Sequence, residues 1–194
     1  MDSQDLGINQ QSPTLIKNKD GWYVPANDVM GYEYISAEVQ DLPTLLNQCT
    51  RFGTCVQAGG NIGIWPVALA KKFNVVRTVE PDYVNYKALA LNCADYPNIL
   101  YQRAGFGDSK KTGSIRVGIE GNMGALQTTE GTDFEIITID SLKLSECDLI
   151  QLDIEGYEYF ALLGAEKTIM QYRPIICIEM NGLSFKYGKS DTDI

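Results

Sequence analysis

Histidine is absent from this chain of 194 residues. That absence excludes the Ser-His-Asp and Cys-His nucleophilic arrangements and most zinc and iron sites, so proton transfer falls to a carboxylate, Lys, Tyr or water. Basic residues are scarce: 16 Lys plus Arg stand against 25 Asp plus Glu, a formal charge of −9. This balance argues against a surface that grips nucleic acid phosphates or an anionic membrane. No stretch approaches the roughly 20 apolar residues of a membrane span, and the polar start, Met1 to Gln11, lacks the apolar core of a signal peptide. The five cysteines (Cys49, Cys55, Cys93, Cys147, Cys177) are odd in number and contain no Cys-x-x-Cys pair. Such usage fits a reduced, cytoplasmic chain with buried thiols.

What is present is enough to build a core: 44% of the residues are hydrophobic. The length fits one domain, residues 1–194, and is too short for the two that many cofactor enzymes need. Residues 1–50 read as an aromatic segment (Trp22, Tyr23, Tyr32, Tyr34) and a helix, packed on the domain or over a site. That helix is expected to start at Asp41 as N-cap with Pro43 in its first turn, and to bury Leu42, Leu45, Leu46 and Cys49. Residues 55–181 form the expected core, in which short apolar runs alternate with helical segments. Cys55 to Ala58, Val75 to Val79 and Ile99 to Tyr101 read as strands. Ile62, Pro66, Leu69 and Phe73 mark one helix, and Val84, Ala88 and Leu91 a second, stopped by Pro97.

The stretch from Phe106 to Thr132 is rich in Gly, Ser and Thr. Ile115 to Ile119 alternates like a half-exposed strand, with Phe134 to Ile139 as its expected hairpin partner and a loop around Glu120 to Gly131. Leu149 to Leu152 returns to a buried strand, followed by a helix carrying Leu162, Leu163, Ile169 and Met170. Pro174 opens Ile175 to Ile178, a run suited to a strand covered on both faces. The alternation predicts an α/β fold: a mostly parallel sheet, right-handed crossovers and helices on both faces. Such sheets bind ligands outside the carboxyl ends of their strands. Gly59, Glu80, Ala104 and Asp153 each follow a predicted strand, so one crevice is expected to collect all four.

Gly59, Gly60 and Gly63 lie between a strand and a helix, where glycine allows a sharp turn and brings N–H groups close to a ligand; tight turn geometry alone also explains them. Glu80, 21 residues after Gly59, ends the second strand, where an acid can accept hydrogen bonds from both hydroxyls of a ribose. Asp153 and Glu155 leave a buried strand and are expected to enter a helix with both carboxylates toward the crevice. For Glu155 and Glu158, favourable charge at a helix N-terminus is the simpler reading.

The chain from about Cys55 to Asn181 resembles the FkbM-type S-adenosylmethionine-dependent methyltransferases. The resemblance is carried by Val56-Gln57-Ala58-Gly59-Gly60-Asn61-Ile62-Gly63, Val79-Glu80-Pro81-Asp82, Ile139-Asp140-Ser141-Leu142, Asp148 to Glu158, and Arg173 to Glu179, in that order. It implies a Rossmann-like class I methyltransferase fold and O-methylation of a hydroxyl on a sugar or natural product, with S-adenosylmethionine as donor and S-adenosylhomocysteine as product. Carried over, Gly59, Gly60, Asn61 and Gly63 line the methionine end of the cofactor and Glu80 with Pro81 holds the ribose. Ala104, Gly105 and Phe106 border the adenine, and Asp153 and Glu155 face the methyl group and acceptor. Gln57 stands where the family usually has an acid, keeping hydrogen bonding while losing a charge.

A sulfonium-activated methyl group needs no protein nucleophile, and aligning an acceptor oxygen behind it can supply up to about 7–11 kcal/mol. Asp153, Glu155 or Glu179 is the candidate base, with Asp153 preferred. Asp140, Asp153, Glu155 and Glu179 offer oxygen ligands to a hard divalent ion as a less favoured variant. Trp22, Tyr32 and the Asn122-Met123-Gly124 loop are candidates to shape the acceptor pocket, with core packing the alternative for the aromatics. Two other classes remain open. Ala58-x-Gly60-x-x-Gly63 is one residue short of the dinucleotide fingerprint of NAD oxidoreductases, and a non-catalytic module can keep a nucleoside cofactor site.

Overall fold

The computed structural model describes residues 14–117 and 126–194; Met1 to Gln11 and the Asn122-Met123-Gly124 loop lie outside the described residues. The chain opens with a small antiparallel pair, β1 (Leu15–Lys17) and β2 (Tyr23–Pro25). Helix α1 (Gly31–Glu38) follows, where the sequence shows no period, because it buries only Gly31 and Ile35. A 3-10 turn, Val39–Asp41, leads into α2 (Leu42–Leu46). Pro43 sits in its first turn as expected, but Asp41 makes no side-chain cap. Its backbone already has helical angles, continuing from the 3-10 turn, so the carboxylate is not poised over the free N–H groups. The helix ends before Cys49, which still packs on the core.

The central sheet is built from β3 (Thr54–Ala58), β4 (Val75–Val79), β5 (Ile99–Gln102), β10 (Leu149–Leu152) and β11 (Ile175–Ile178), with helices α3 (Ile64–Ala70) and α4 (Tyr83–Asn92) in the first crossovers. Its strands are all parallel, in the order β11-β10-β3-β4-β5. Every residue of the central strand β3 is buried, the environment its apolar run calls for. Side chains alternate between two cores. Cys55, Val76 and Leu149 face α3 and the N-terminal segment, with Trp22, Tyr23 and Tyr32 packed at the margin. Val56, Ala58, Ile150 and Leu152 face Ile139, Ala161 and Ala165. Pro66 is the third residue of α3, where its missing N–H would have no partner within the helix anyway. Asp82 caps α4 by accepting from the N–H groups of Val84 and Asn85 at 2.8 and 2.9 Å.

Four expectations are corrected. The buried face of α4 is Asn85, Ala88 and Leu89, while Leu91 is 48% exposed. Between β5 and β10 lies a second sheet of β6 (Ala104–Phe106), β7 (Lys111–Val117), β8 (Leu126–Glu130) and β9 (Phe134–Ile137), in the order β6-β9-β7-β8. The hairpin partner of Ile115 is therefore Thr128 on β8, and β9 meets β7 only at Lys111 to Gly113. The single helix expected after Leu152 is two, α5 (Glu158–Leu163) and α6 (Glu166–Tyr172), and Leu163 and Met170 point to solvent. The break is pinned by Asp140: its N–H donates to Gly164 and its carboxylate accepts from Lys167 and Thr168. Finally, β11 is an edge strand with Ile176 41% exposed, not a strand covered on both faces. No helix among the described residues is long and apolar enough to cross a membrane.

Candidate functional site

Parallel strands end together, and the turns that follow them meet along one rim. There they enclose a cavity of about 390 Å³, within the range of small-molecule sites. Its floor is the glycine turn after β3. Gly59 has φ +80 and would place a Cβ 1.9 Å from the Asp153 carbonyl oxygen, so only glycine lets the two strand ends approach this closely. The Asp153 N–H donates to the Ala58 carbonyl at 3.2 Å and ties the same two ends together.

Glu80 enters from the end of β4 and is 5% exposed. Its carboxylate accepts from the Asn61 N–H at 2.7 Å and the Asp82 N–H at 2.8 Å. Two backbone donors from opposite sides thus fix the acid against the glycine turn. Pro81, Gly105 and Phe106 continue this wall. Across the cavity the register Leu152↔Ile178 places Asp153 beside Glu179, and both line the same cavity. Glu155 and Tyr157 line the same side. Helix α1 supplies the remaining wall with Met30, Tyr34, Ile35 and Glu38.

A glycine turn, an acid locked at the end of the next strand and a carboxyl pair after the fourth and fifth strands of the parallel sheet together delimit one pocket. The sequence matches the Methyltransferase FkbM domain across residues 57–193, more than half of the chain and all of these turns. The chain belongs to the FkbM methyltransferase family. Among solved structures, the FkbM domain is similar to methyltransferase FkbM from Methylobacillus flagellatus KT, at 24% identity and a TM-score of 0.50. That match covers 67% of this chain and 34% of the other, so the chain spans about a third of that relative's length. A second similar structure is phosphoethanolamine N-methyltransferase 1 from Haemonchus contortus, in complex with phosphoethanolamine and S-adenosylhomocysteine, at 16% identity and a TM-score of 0.41; it covers 74% of this chain and 26% of that one. Comparison with curated proteins finds no match.

Within this FkbM domain, Gly59, Gly60, Asn61, Glu80, Pro81, Gly105, Phe106, Asp153, Glu155 and Glu179 of the sequence candidates line the cavity, and four candidates do not. Gln57 is wholly buried beneath the turn. Its amide donates to the Ala58 and Gly59 carbonyls at 2.9 and 3.0 Å and its oxygen accepts from the Thr78 hydroxyl, so it braces the turn from below and turns no atom to a ligand. Gly63 turns toward α4, where a Cβ would lie 3.0 Å from the Cys93 sulfur. Ala104 is buried in the second core. Asp140 is consumed as the cap of α6, so the four-carboxylate metal set does not assemble. Among the described residues no group of three or more His, Cys, Asp or Glu side chains is placed to hold a metal ion. Trp22 and Tyr32 stay outside the cavity, and Tyr32 donates to Asp20 instead.

Glu155 is also placed differently from expectation. It has φ +58 in a loop before α5, and Glu158 is the acid in the first helical turn. Glu158 reaches back to accept from the Ile154 N–H at 2.9 Å, which shapes the loop. The carboxyl groups feel one another strongly. Burial pushes Glu80 up to about 8 despite its two N–H donors. Asp153 is pushed well above the usual carboxylate range by burial first, then by Glu179, Glu38 and Glu155. Burial and Glu179 push Glu155 up to about 7, opposed by Lys186. Glu38, raised by burial and Glu179, escaped the sequence reading, because a helix that buries a single large apolar side chain leaves no periodic signal. Trp65 was missed as a wall residue because nothing in sequence separates a cavity wall from a core, whereas Tyr34 belongs to the aromatic segment read as packing on the domain or over a site.

Proposed function

We propose that this chain is an S-adenosylmethionine-dependent methyltransferase that O-methylates a hydroxyl of a small molecule, a sugar or natural-product-like compound. The observation that carries the reading is Glu80: a buried carboxylate, clamped by two backbone N–H groups against a glycine turn, in the same cavity as the Asp153–Glu179 pair. Ribose hydroxyls are the donors that such an acid accepts from. Gly59, Gly60 and Asn61 hold the methionine end, Glu80 and Pro81 the ribose, Gly105 and Phe106 the adenine. When bound, S-adenosylmethionine supplies an electrophilic methyl group on a positively charged sulfur, and the carboxylate-rich cavity suits that charge.

The residues of the chain then have two tasks. One is to hold the acceptor in line and exclude water, which the walls from α1 and from Leu183 accomplish by flanking the pocket. The other is to take the hydroxyl proton. Asp153 is the base in this reading. Burial and the neighbouring Glu179 raise the affinity of Asp153 for protons, which brings it nearer to an alcohol than an exposed carboxylate would be. All five thiols are free, in keeping with a reducing compartment such as the cytoplasm.

Calorimetric titration with S-adenosylmethionine, S-adenosylhomocysteine and NAD tests the reading. The first two are expected to bind and NAD is not. Binding of NAD alone overturns the proposal in favour of an oxidoreductase, and cofactor binding without transfer to any acceptor leaves a nucleoside-cofactor module.

A further inference from the structure

The charges lining the cavity are unbalanced. Glu38, Glu80, Asp153, Glu155 and Glu179 all line it, and no Lys or Arg does among the described residues. Lys186, exposed outside the cavity, acts on Glu155. In the proposed function Glu80 is occupied by the ribose, which leaves four carboxylates. Burial and then the repulsion of neighbouring carboxylates raise Glu38, Asp153 and Glu155, Lys186 offsets part of Glu155, and the cofactor brings one net positive charge from its sulfonium, ammonium and carboxylate. The crowding of negative groups remains on the side where α1 meets Asp153 and Glu179. A phosphate or carboxylate on the acceptor would add to it, and a neutral acceptor would leave it in place. A cation relieves it.

The uncharged part of this wall points the same way. Tyr34 and Trp65 line the cavity beside these carboxylates, and aromatic faces with carboxylates are the surroundings that bind ammonium groups. Trp65 is 9% exposed, and its indole N–H is buried without a partner among the described residues. The wall thus presents carboxylates and aromatic faces to a cation.

We infer that the methyl acceptor is an amino alcohol, with a protonated amine seated among Glu38, Asp153 and Glu179 beside the hydroxyl that is methylated. This deepens the methyltransferase reading and rests on it. It names the acceptor class as amino sugars and related amino polyols, and it makes Glu38 a residue that selects for the charge of the acceptor.

The test uses the full chain saturated with S-adenosylhomocysteine and matched triples of probes: 2-amino-1,3-propanediol, glycerol and glycerol phosphate; glucosamine, glucose and glucose 6-phosphate. Binding is read by calorimetry at a pH where the amines are protonated. The amine of at least one triple is expected to bind about tenfold or more tighter than its neutral partner, with no binding of the phosphate. Glu38→Gln, a change of nearly equal shape, is expected to reduce that ratio, with circular dichroism confirming the fold. Equal binding of amine and neutral probes, preference for the phosphate, or no binding of any amine overturns the inference while S-adenosylhomocysteine binding keeps the methyltransferase reading intact. Failure of S-adenosylhomocysteine itself to bind overturns both.

Discussion

Replacing Glu80 with Gln removes a charge and almost nothing else. In the ligand-free protein, burial raises this carboxyl from 4.5 to about 8. An acid raised on folding contributes its full stability below its unfolded pKa and loses it as pH climbs through the folded value, so the window runs from 4.5 to about 8. Each pH unit of that rise is worth about 1.4 kcal/mol, and the whole rise about 5 kcal/mol. Gln cannot ionise and escapes the loss. It offers one carbonyl oxygen to two N–H donors, from Asn61 and Asp82, and the unmet donor costs about 1–3 kcal/mol at any pH. Glu80→Gln should therefore be less stable than the parent by about 1–3 kcal/mol near about pH 5, and more stable by about 2–4 kcal/mol near about pH 9. Urea unfolding followed by circular dichroism at both pH values measures the reversal. The same variant should bind S-adenosylhomocysteine about 10–100-fold more weakly, the worth of a hydrogen bond to a charged group. A stability difference that ignores pH would refute the buried-charge argument, and unchanged affinity would remove Glu80 from the ribose.

Three further outcomes follow from the same geometry. Asp153→Asn should keep S-adenosylhomocysteine affinity and lower turnover by about 100-fold or more; the parent's rate should rise with pH as the raised Asp153 carboxyl ionises, and a fully active variant would clear Asp153 of proton transfer. Gly59→Ala forces a Cβ to within 1.9 Å of the Asp153 carbonyl oxygen at φ +80, and should lower unfolding stability by at least about 2 kcal/mol; a stable variant with intact binding would mean that the two strand ends can separate freely. Gln57→Glu, which restores the acid usual in the family, should destabilise the fold by about 3–5 kcal/mol in urea titrations. It sets a charge against the Ala58 and Gly59 carbonyls that Gln57 now donates to, and unchanged stability would show that this buried position has access to solvent.

Much of the central sheet was readable in the sequence because its strands are short apolar runs ended by glycine or by an acid. Cys55 to Ala58, Val75 to Val79, Leu149 to Leu152 and Ile175 to Ile178 lie within one residue of the observed strands. The position of Glu80 relative to the glycine turn followed from the same pattern. Helix α1 was not readable, since its contribution is one buried isoleucine and a cavity wall. The division of α5 from α6 depends on Asp140, 24 residues before Gly164, through contacts that no local pattern announces. The role of Gln57 was misread for a related reason: strand alternation gives the face of a side chain, but not whether a neighbour such as Thr78 has already claimed its amide. The nearness of Asp153 to Glu179 required the order of strands in space, which places β11 beside β10.

The mutual lock between Gly59 and Asp153 has a mechanical consequence. The base of the pocket is made by two strand ends in van der Waals contact at the centre of a five-stranded sheet, and moving either would pull apart the innermost ladder of the molecule. Traffic of any ligand must therefore be governed by the sides: α1, which precedes the sheet, and the short turn from Leu183 to Tyr187, which follows it. A substitution that loosens either side should alter how fast ligands come and go, whereas one in the base should alter whether the protein folds at all.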